Sequence, residues 1–441
     1  MGRANVVYPP KPLMLSAAEA AAFETLADQL VAETLRTHDD LVSQGRIVDL
    51  KRWKVVKEKH NITAYRARKR ASTRFGRERV PSDVTEAVPA SPQMPSFYPA
   101  MDAKMEHALS ATYPSATCLE DDSDDELQDE FSYVDVLEQD VLDTTRPDRV
   151  PMVFCTGVAP GTVEDAALGF FADTEERSRM RNSSNKEMAV DETRILAHFQ
   201  GPTEDDPFRF LGIKWCLHTP RGAAGRFVKP RDYVVLESTG LALDSDGKRF
   251  SYVLNHSVEL AAEVPDFRSY GNVRVGFSAC HIVRPHATAG AIEIFSRGFV
   301  DIRGYIAEHL GTYMFCVGLM SVPQTVEEAY TKKLTSLLLP ARRRADTSDG
   351  LASLQTSDTC PCCRHKLHTG IAKLLEGNST CQLCRQTTCR KCTVKKTLPM
   401  DAGGGPKQLT RKAMDFCLSC YLEAKNLSAW KVAMETLTLT E

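Results

Sequence analysis

Apolar and polar positions along this chain follow two rhythms, one helical and one alternating, before giving way to a short cysteine-dense end. Between residues 16 and 45, Phe23, Leu26, Leu30, Val31 and Leu35 recur near helical spacing behind a Ser16 placed to cap them. This predicts an amphipathic helix docked on a core. Trp53–Lys57 and Asn61–Arg66 read as two short strands turning at Glu58–His60. Residues 71–100, rich in Ser and Pro, and residues 118–130, which are mostly acidic, lack periodicity and read as disordered insertions. Order returns at Met152: residues 158–161 suggest a turn, and Thr162 an N-cap with Glu164 and Asp165 in the helix's first turn. After a polar stretch at 177–186, six alternating or apolar runs follow, at 193–199, 208–218, 232–243, 249–258, 273–283 and 291–299, with short Gly, Pro and Asp turns between most of them. A last helix is predicted from Arg303 through Tyr330 to Leu338. Its apolar face is Ile306, Leu310, Tyr313, Val317 and Met320, and it breaks at Pro323. Successive strands bracketed by helices give an α+β class with an antiparallel sheet.

Composition narrows this only modestly. The 441 residues suggest two or three domains, and 42% hydrophobic with 26% charged residues is ordinary for a globular chain with a sizeable core. A net charge of −3 sets up no global field for nucleic acid, so none is expected as a partner. Basic residues crowd locally from Lys51 to Arg79. They read as a solvated strand face running into a basic loop, or as a patch for a membrane surface or phosphate. The scattered cysteines Cys118, Cys155, Cys216, Cys280 and Cys316 do not form a disulfide framework and point to a reducing compartment. No run of about 18 apolar residues marks a membrane span, and Val6 stands where a myristoylation signal needs Ser or Thr, so a cytoplasmic protein is expected. No nucleophile–base set, paired acids or phosphate loop stands out, and the scattered histidines lack ligand spacing, so no enzyme is expected.

Chemistry is concentrated between Cys360 and Cys420. Four C-x-x-C pairs lie there: Cys360/Cys363, Cys381/Cys384, Cys389/Cys392 and Cys417/Cys420. Each pair can place two thiolates on one turn to share a tetrahedral zinc, so eight ligands make two closed sites that fold a domain and do no chemistry themselves. Cys362, His365 and His368 are nearby spares. The order of strands and helices upstream, with Thr156-Gly-Val-Ala-Pro-Gly-Thr-Val-Glu-Asp165, Pro230-Arg-Asp-Tyr-Val-Val-Leu-Glu237 and Val300-Asp-Ile-Arg-Gly-Tyr-Ile306, resembles a START (helix-grip, lipid-transfer) domain over residues 16–340. That resemblance implies an apolar tunnel for one lipid or sterol, closed by the C-terminal helix. Trp215, Tyr233, Tyr252, Phe277, Ile294, Phe295, Met314 and Met320 are large enough either to line it or to fill plain core. Arg231 and Asp232 read as an ion pair at a strand entrance.

The central C-x2-C-x4-C-x2-C spacing resembles a FYVE finger. By that resemblance one zinc takes Cys360, Cys363, Cys389 and Cys392, and the other takes Cys381, Cys384, Cys417 and Cys420. The basic run that family uses for phosphatidylinositol 3-phosphate is replaced here by Glu376-Gly-Asn-Ser-Thr380. What remains is a basic surface of Arg364, Lys366, Arg385, Arg390, Lys391, Lys395 and Lys396, beside a candidate apolar tip of Ile371, Leu374 and Leu375. It suits a phosphoinositide or other anionic membrane surface, or equally a protein partner.

The expected organisation is a tail (1–15), a START-like helix-grip domain (16–340), a linker (341–357), a cross-braced two-zinc finger (358–428) and a tail (429–441). The expected function is non-enzymatic lipid binding or sensing, with the finger docking the protein peripherally, on endosomal membranes if the FYVE likeness holds. The alternatives are a protein-interaction adaptor with no lipid ligand and, further off, a RING-like ubiquitin ligase.

Overall fold

The computed structural model describes residues 10–68, 141–184, 190, 192–219, 228–261, 263–265, 267–268, 271–346, 358–367, 378–401 and 409–437. The insertions read at 71–100 and 118–130, the basic residues beyond Arg68 and the apolar tip at 371–375 lie outside the described residues.

Helix α1 (Ala17–Ser43) opens with a capping box. The Ser16 hydroxyl accepts from the Glu19 amide at 3.3 Å, and the Glu19 carboxylate accepts from the Ser16 amide at 2.7 Å. Strands β1 (Trp53–Lys59) and β2 (Ile62–Ala67) form the expected hairpin, with His60 in the left-handed region at its turn. Next come α2 (Val141–Thr145), β3 (Val153–Pro160), α3 (Val163–Phe170) and α4 (Glu175–Ser184). The sheet continues with β4 (Glu192–Gln200), β5 (Phe210–His218), β6 (Arg231–Leu243), β7 (Arg249–Ser257), β8 (Val273–Arg274), β9 (Gly276–Pro285) and β10 (Ala291–Asp301). Helices α5 (Glu308–Leu319) and α6 (Val322–Asp346) close this part. The strands run β1-β2-β3-β10-β9-β7-β6-β5-β4, antiparallel throughout, with β8 paired in parallel to β6. A long antiparallel sheet crossed by the last helices is the helix-grip arrangement that the START resemblance implies.

Both faces of the sheet are covered. Phe23, Ala27, Leu30 and Val31 of α1 pack against Trp215, Leu236, Leu254 and Ile282 on one face. Val163, Ala166 and Phe170 of α3, Cys316 and Leu319 of α5 and Val326 of α6 pack against Ile62, Ala64, Val153, Ile292 and Ile294 on the other. Each fully buried Val, Leu, Ile or Phe among them contributes about 1.5–3 kcal/mol. Polar groups hold α1 in register. Buried His38 stacks on Phe295 with ring centroids 5.0 Å apart, and Glu293 accepts from the Arg46 guanidinium at 2.6 and 2.8 Å.

Several expectations change. Strand β3, read from sequence as a turn at 158–161, continues to Pro160 and lies well inside the sheet between β2 and β10. The polar stretch near 177–186 is helical through Ser184. The single last helix is two helices that break at Met320–Ser321, just before the expected Pro323. Pro323 falls in the first turn of α6, where a missing amide costs nothing. Most consequentially, the expected apolar face is only partly covered: Met320 is buried and Ile306 and Val317 are half-buried, but Leu310 and Tyr313 are exposed, while Gly311, Thr312, Cys316 and Leu319 are buried. Helix α6 continues to Asp346, so residues 341–346, read as linker, are helical.

The C-terminal part contains β11 (Ser379–Thr380) paired with β12 (Thr387–Thr388), and β13 (Thr393–Asp401) paired with β14 (Leu409–Cys417). Helices α7 (Leu418–Asn426) and α8 (Ala429–Leu437) follow, so the stretch read as a C-terminal tail is helical through Leu437.

Gly169 marks the closest approach of α3 to α6, since a Cβ there would lie 2.0 Å from the backbone oxygen of Thr325. Gly169→Val is expected to push the two helices apart and to cost at least about 2 kcal/mol, read from urea unfolding of the full chain.

Candidate functional site

The structure brings the eight predicted cysteines into two groups. Cys360, Cys363, Cys389 and Cys392 form one, Cys381, Cys384, Cys417 and Cys420 the other, and in each group the sulfurs lie within 4.8 Å of one another. First and third pairs meet, as do second and fourth, so the chain is cross-braced. Cys363 and Cys389 sulfurs are 3.7 Å apart, and those of Cys384 and Cys417 are 3.8 Å apart. A tetrahedron with metal–sulfur arms of about 2.3 Å has edges of about 3.8 Å, so both groups fit a metal ion held by four thiolates.

Two turns of the same form build the first ligand pair of each group. The Arg364 amide donates to the Cys360 carbonyl at 2.8 Å, and the Arg385 amide donates to the Cys381 carbonyl at 3.0 Å. Both arginines adopt positive φ, 59° and 62°, and the Cys360 and Cys381 amides then donate to the carbonyls of His365 and Gln386. The shared C-x-x-C-Arg pattern was the sequence signal for this repeated turn. Amides of Leu383 and Cys420 point at the sulfurs of Cys381 and Cys417 at 3.4 and 3.3 Å, which favours thiolate over thiol. Buried Thr388 donates to the Ser379 carbonyl, and Thr393 to the Cys389 carbonyl, fixing the third ligand pair. Cys362 stands outside both groups, half-buried between them, with the Ser419 hydroxyl 3.4 Å from its sulfur; His365 is exposed. His368 lies outside the described residues.

The finger is fastened to the sheet domain. Leu334 and Leu338 of α6 pack against Cys381, Leu398, Met414, Phe416 and Cys417, so the second cysteine group shares a core with the gripping helix. Lys396, counted from sequence among the free basic surface, turns to Glu327 of α6 at 2.6 Å and lies over the Tyr421 ring. Lys333 of α6 pairs with Asp165 of α3 and donates to the Lys425 carbonyl of α7 at 3.1 Å, joining three helices at one ammonium. Its neighbour Lys332 donates to the carbonyls of Leu168, Gly169 and Phe171 at the end of α3. Beyond the finger, Ala429, Val432 and Ala433 of α8 return to Ala167, Phe171, Phe208 and Ala329, and Trp430 meets Phe208 edge-on.

The helix-facing side of the sheet changes character from one edge to the other. Toward β2, β3, β9 and β10 it carries Ile62, Ala64, Val153, Phe277, Ile292 and Ile294. Toward β6 and β5 it carries Glu237 and Lys214, both almost fully buried and 2.8 Å apart, with Arg181 of α4 closing on Glu237 at 2.8 Å. Lys214 also donates to the Ala172 carbonyl and the Ser178 hydroxyl. Burial alone would raise the Glu237 carboxyl, but Arg181 and Lys214 overrule it and hold it down at about 2. The reading of sequence missed this triad, although Lys214 inside the apolar run Phe210–Leu217 and Glu237 directly after Tyr233–Leu236 were the visible signal. Of the large side chains considered as lining, Phe277, Ile294 and Met320 face the helices. Trp215 and Tyr252 belong to the α1 face, Phe295 stacks there on His38, and Met314 is exposed. The partner of Asp232 is Arg274, at 2.8 Å, with Trp215 donating to the same carboxylate, while Arg231 donates to the Lys229 carbonyl. Burial pushes the thiols of Cys155, Cys280 and Cys316 up to about 12, which makes them structural.

No family model matches the sequence, and no curated protein matches it. Solved structures similar to the chain include human StAR-related lipid transfer protein 5, with TM-score 0.34 and 14% identity over 69% of this chain and 97% of that one. Human STARD10 gives TM-score 0.33 and 10% identity over 64% and 75%. A StAR-related lipid transfer protein fragment from Xanthomonas axonopodis gives 0.30 and 10% over 62% and 96%. With scores this low, these likenesses add no weight to the strand order and helix placement described above.

Two outcomes are expected. Metal analysis of the purified chain should find two ions, and a strong chelator should speed hydrogen exchange in α6 as well as in the finger; Cys417→Ser should loosen α6 more than Cys389→Ser does, because only the former's group packs on Leu334 and Leu338. Glu237→Gln leaves two buried cations short of their carboxylate and should cost about 3–5 kcal/mol in urea unfolding. Since the Glu237 pKa falls from 4.5 to about 2 on folding, its contribution is complete above about pH 4.5 and is lost as pH drops toward 2. The variant's stability should accordingly fall less steeply than the wild type's across that window.

Proposed function

We propose that this chain is a non-enzymatic lipid-binding or lipid-sensing protein in which two zinc ions hold a finger against the gripping helix. The observation that carries the reading is the graded, helix-facing side of the sheet, apolar toward β2, β3 and β10 and charged at Arg181, Lys214 and Glu237. An amphiphile needs both halves: apolar surface removed from water along its tail, and fixed polar partners at its head. Helices α5 and α6 stand where an entrance would open, so uptake requires their displacement rather than any covalent step.

Zinc is the metal favoured by two compact all-cysteine groups, each with two of its four thiols buried. Cross-bracing and the four-residue central gap favour a FYVE-related finger, while Glu376-Gly-Asn-Ser-Thr380 in place of the basic run argues against phosphatidylinositol 3-phosphate as its ligand. Packing of the finger on α6 supports a brace rather than a swinging address, so its metal state and the grip's opening are coupled. Scattered cysteines without the spacing of a disulfide framework suit a reducing, cytoplasmic setting.

Native mass spectrometry and solvent extraction of the full, metal-loaded chain test the reading. One lipid molecule per chain, exchangeable with added vesicles, is the expected result. A folded chain with two metals that neither carries nor takes up lipid would overturn it and leave the adaptor alternative.

A further inference from the structure

Helix α5 splits its apolar side chains between core and solvent. Phe315 packs on Phe277 and Leu319 is buried, but Leu310 is 46% exposed, Tyr313 and Met314 are each 41% exposed, and Tyr305 just before the helix is 85% exposed. The residues it turns to the protein are Gly311, Thr312, Phe315, Cys316 and Leu319. At Gly311 an added Cβ would lie 3.0 Å from Ile302, so the contact itself selects a small residue there. A contiguous apolar patch of this kind marks a surface meant to be covered.

What surrounds the patch indicates what covers it. Helix α5 packs across β1 and β2, and residues 51–68 of that hairpin carry seven lysines and arginines against one glutamate, Glu58. The two elements meet at Lys57, whose ammonium donates to the Tyr313 hydroxyl at 2.8 Å and sits 4.9 Å from its ring centre. Val55 on the same hairpin is 40% exposed. On α5 itself, Glu308 at the first turn is the acid, beside His309. Apolar and tyrosine side chains beside a basic hairpin, joined to it at Lys57, match the layered chemistry of an anionic bilayer, in which acyl chains lie under a negatively charged headgroup plane.

We infer that the face formed by α5 and the β1–β2 hairpin docks on an anionic membrane surface, with Leu310, Tyr313 and Met314 entering the interface and the hairpin cations lying over the headgroups. The contact belongs to the sheet domain and is separate from the finger's basic residues. It does not depend on whether the interior takes a lipid, since a chain with a filled core would present the same face.

Flotation of the full, metal-loaded chain with vesicles tests it. The chain should float with phosphatidylcholine–phosphatidylserine vesicles and not with phosphatidylcholine alone, and raised salt should release it. Leu310→Glu with Met314→Glu should abolish flotation, and Lys51→Glu with Arg52→Glu should lower partitioning roughly tenfold or more. All four positions are exposed, so each variant should keep the wild-type melting midpoint, which confirms its fold. Failure of the wild type to float, or flotation unchanged in folded variants, would overturn the assignment. Light scattering supplies a further check: concentration-dependent self-association that Leu310→Glu removes would give the face to a second copy of the chain instead.

Discussion

The shared core between α6 and the finger is the contact on which the rest of the structure depends. Leu334 and Leu338 are wholly buried only because Leu398, Met414 and Phe416 cover them, and those three are in turn ordered around Cys381 and Cys417. On its other side α6 lies against α3, close enough at Gly169 to exclude a Cβ. A helix covered on two sides by different units cannot leave one without disturbing the other. The order of the second cysteine group, which fits a metal ion, thereby reaches the sheet through a few aliphatic side chains. Lys332 and Lys333 reinforce the same junction with charge, one across the carbonyl end of α3 and one at Asp165.

Much of this architecture was legible in sequence, and the failures have physical reasons. The cysteine pairs were readable because metal ligation tolerates little variation in spacing. The six strands from β4 to β10, leaving aside the two-residue β8, were readable because alternation and short turns recur together. Strand β3 was missed because Pro160-Gly161 at its end looks like a turn, while Gly157 within it permits close approach to Asn61 and Ile62 of the neighbouring hairpin. The lining residues were only half sorted because both faces of the sheet are buried. Alternation then separates Trp215 from Lys214 without saying which layer either one meets.

Helix α5 failed for a different reason. Periodicity locates the apolar face of a helix, and burial was inferred from it; Met320 and half-buried Val317 follow that inference, whereas Leu310 and Tyr313 are left exposed because the tight approach at Gly311 turns the helix on its axis. The triad of Arg181, Lys214 and Glu237 shows the complementary case, in which charges in apolar runs were passed over because ion pairs are identified by partners far apart in sequence. In both places, local sequence preference and tertiary structure disagree, which is common where a surface or interior has a task besides stability.

The return of α8 to Phe208 and Ala167 has a geometric consequence of its own. A domain attached at one end sweeps a volume set by its connector, and what it grasps arrives in many poses. Here the finger is entered from a helix packed in the grip and left by a helix packed in the grip, so it is mounted like an inlaid stone rather than hung like a pendant. Any molecule bound to the finger is presented to the sheet domain at one angle and one distance. Shortening the chain before Ala429 would remove that second mounting and leave Phe208 and Phe171 facing water.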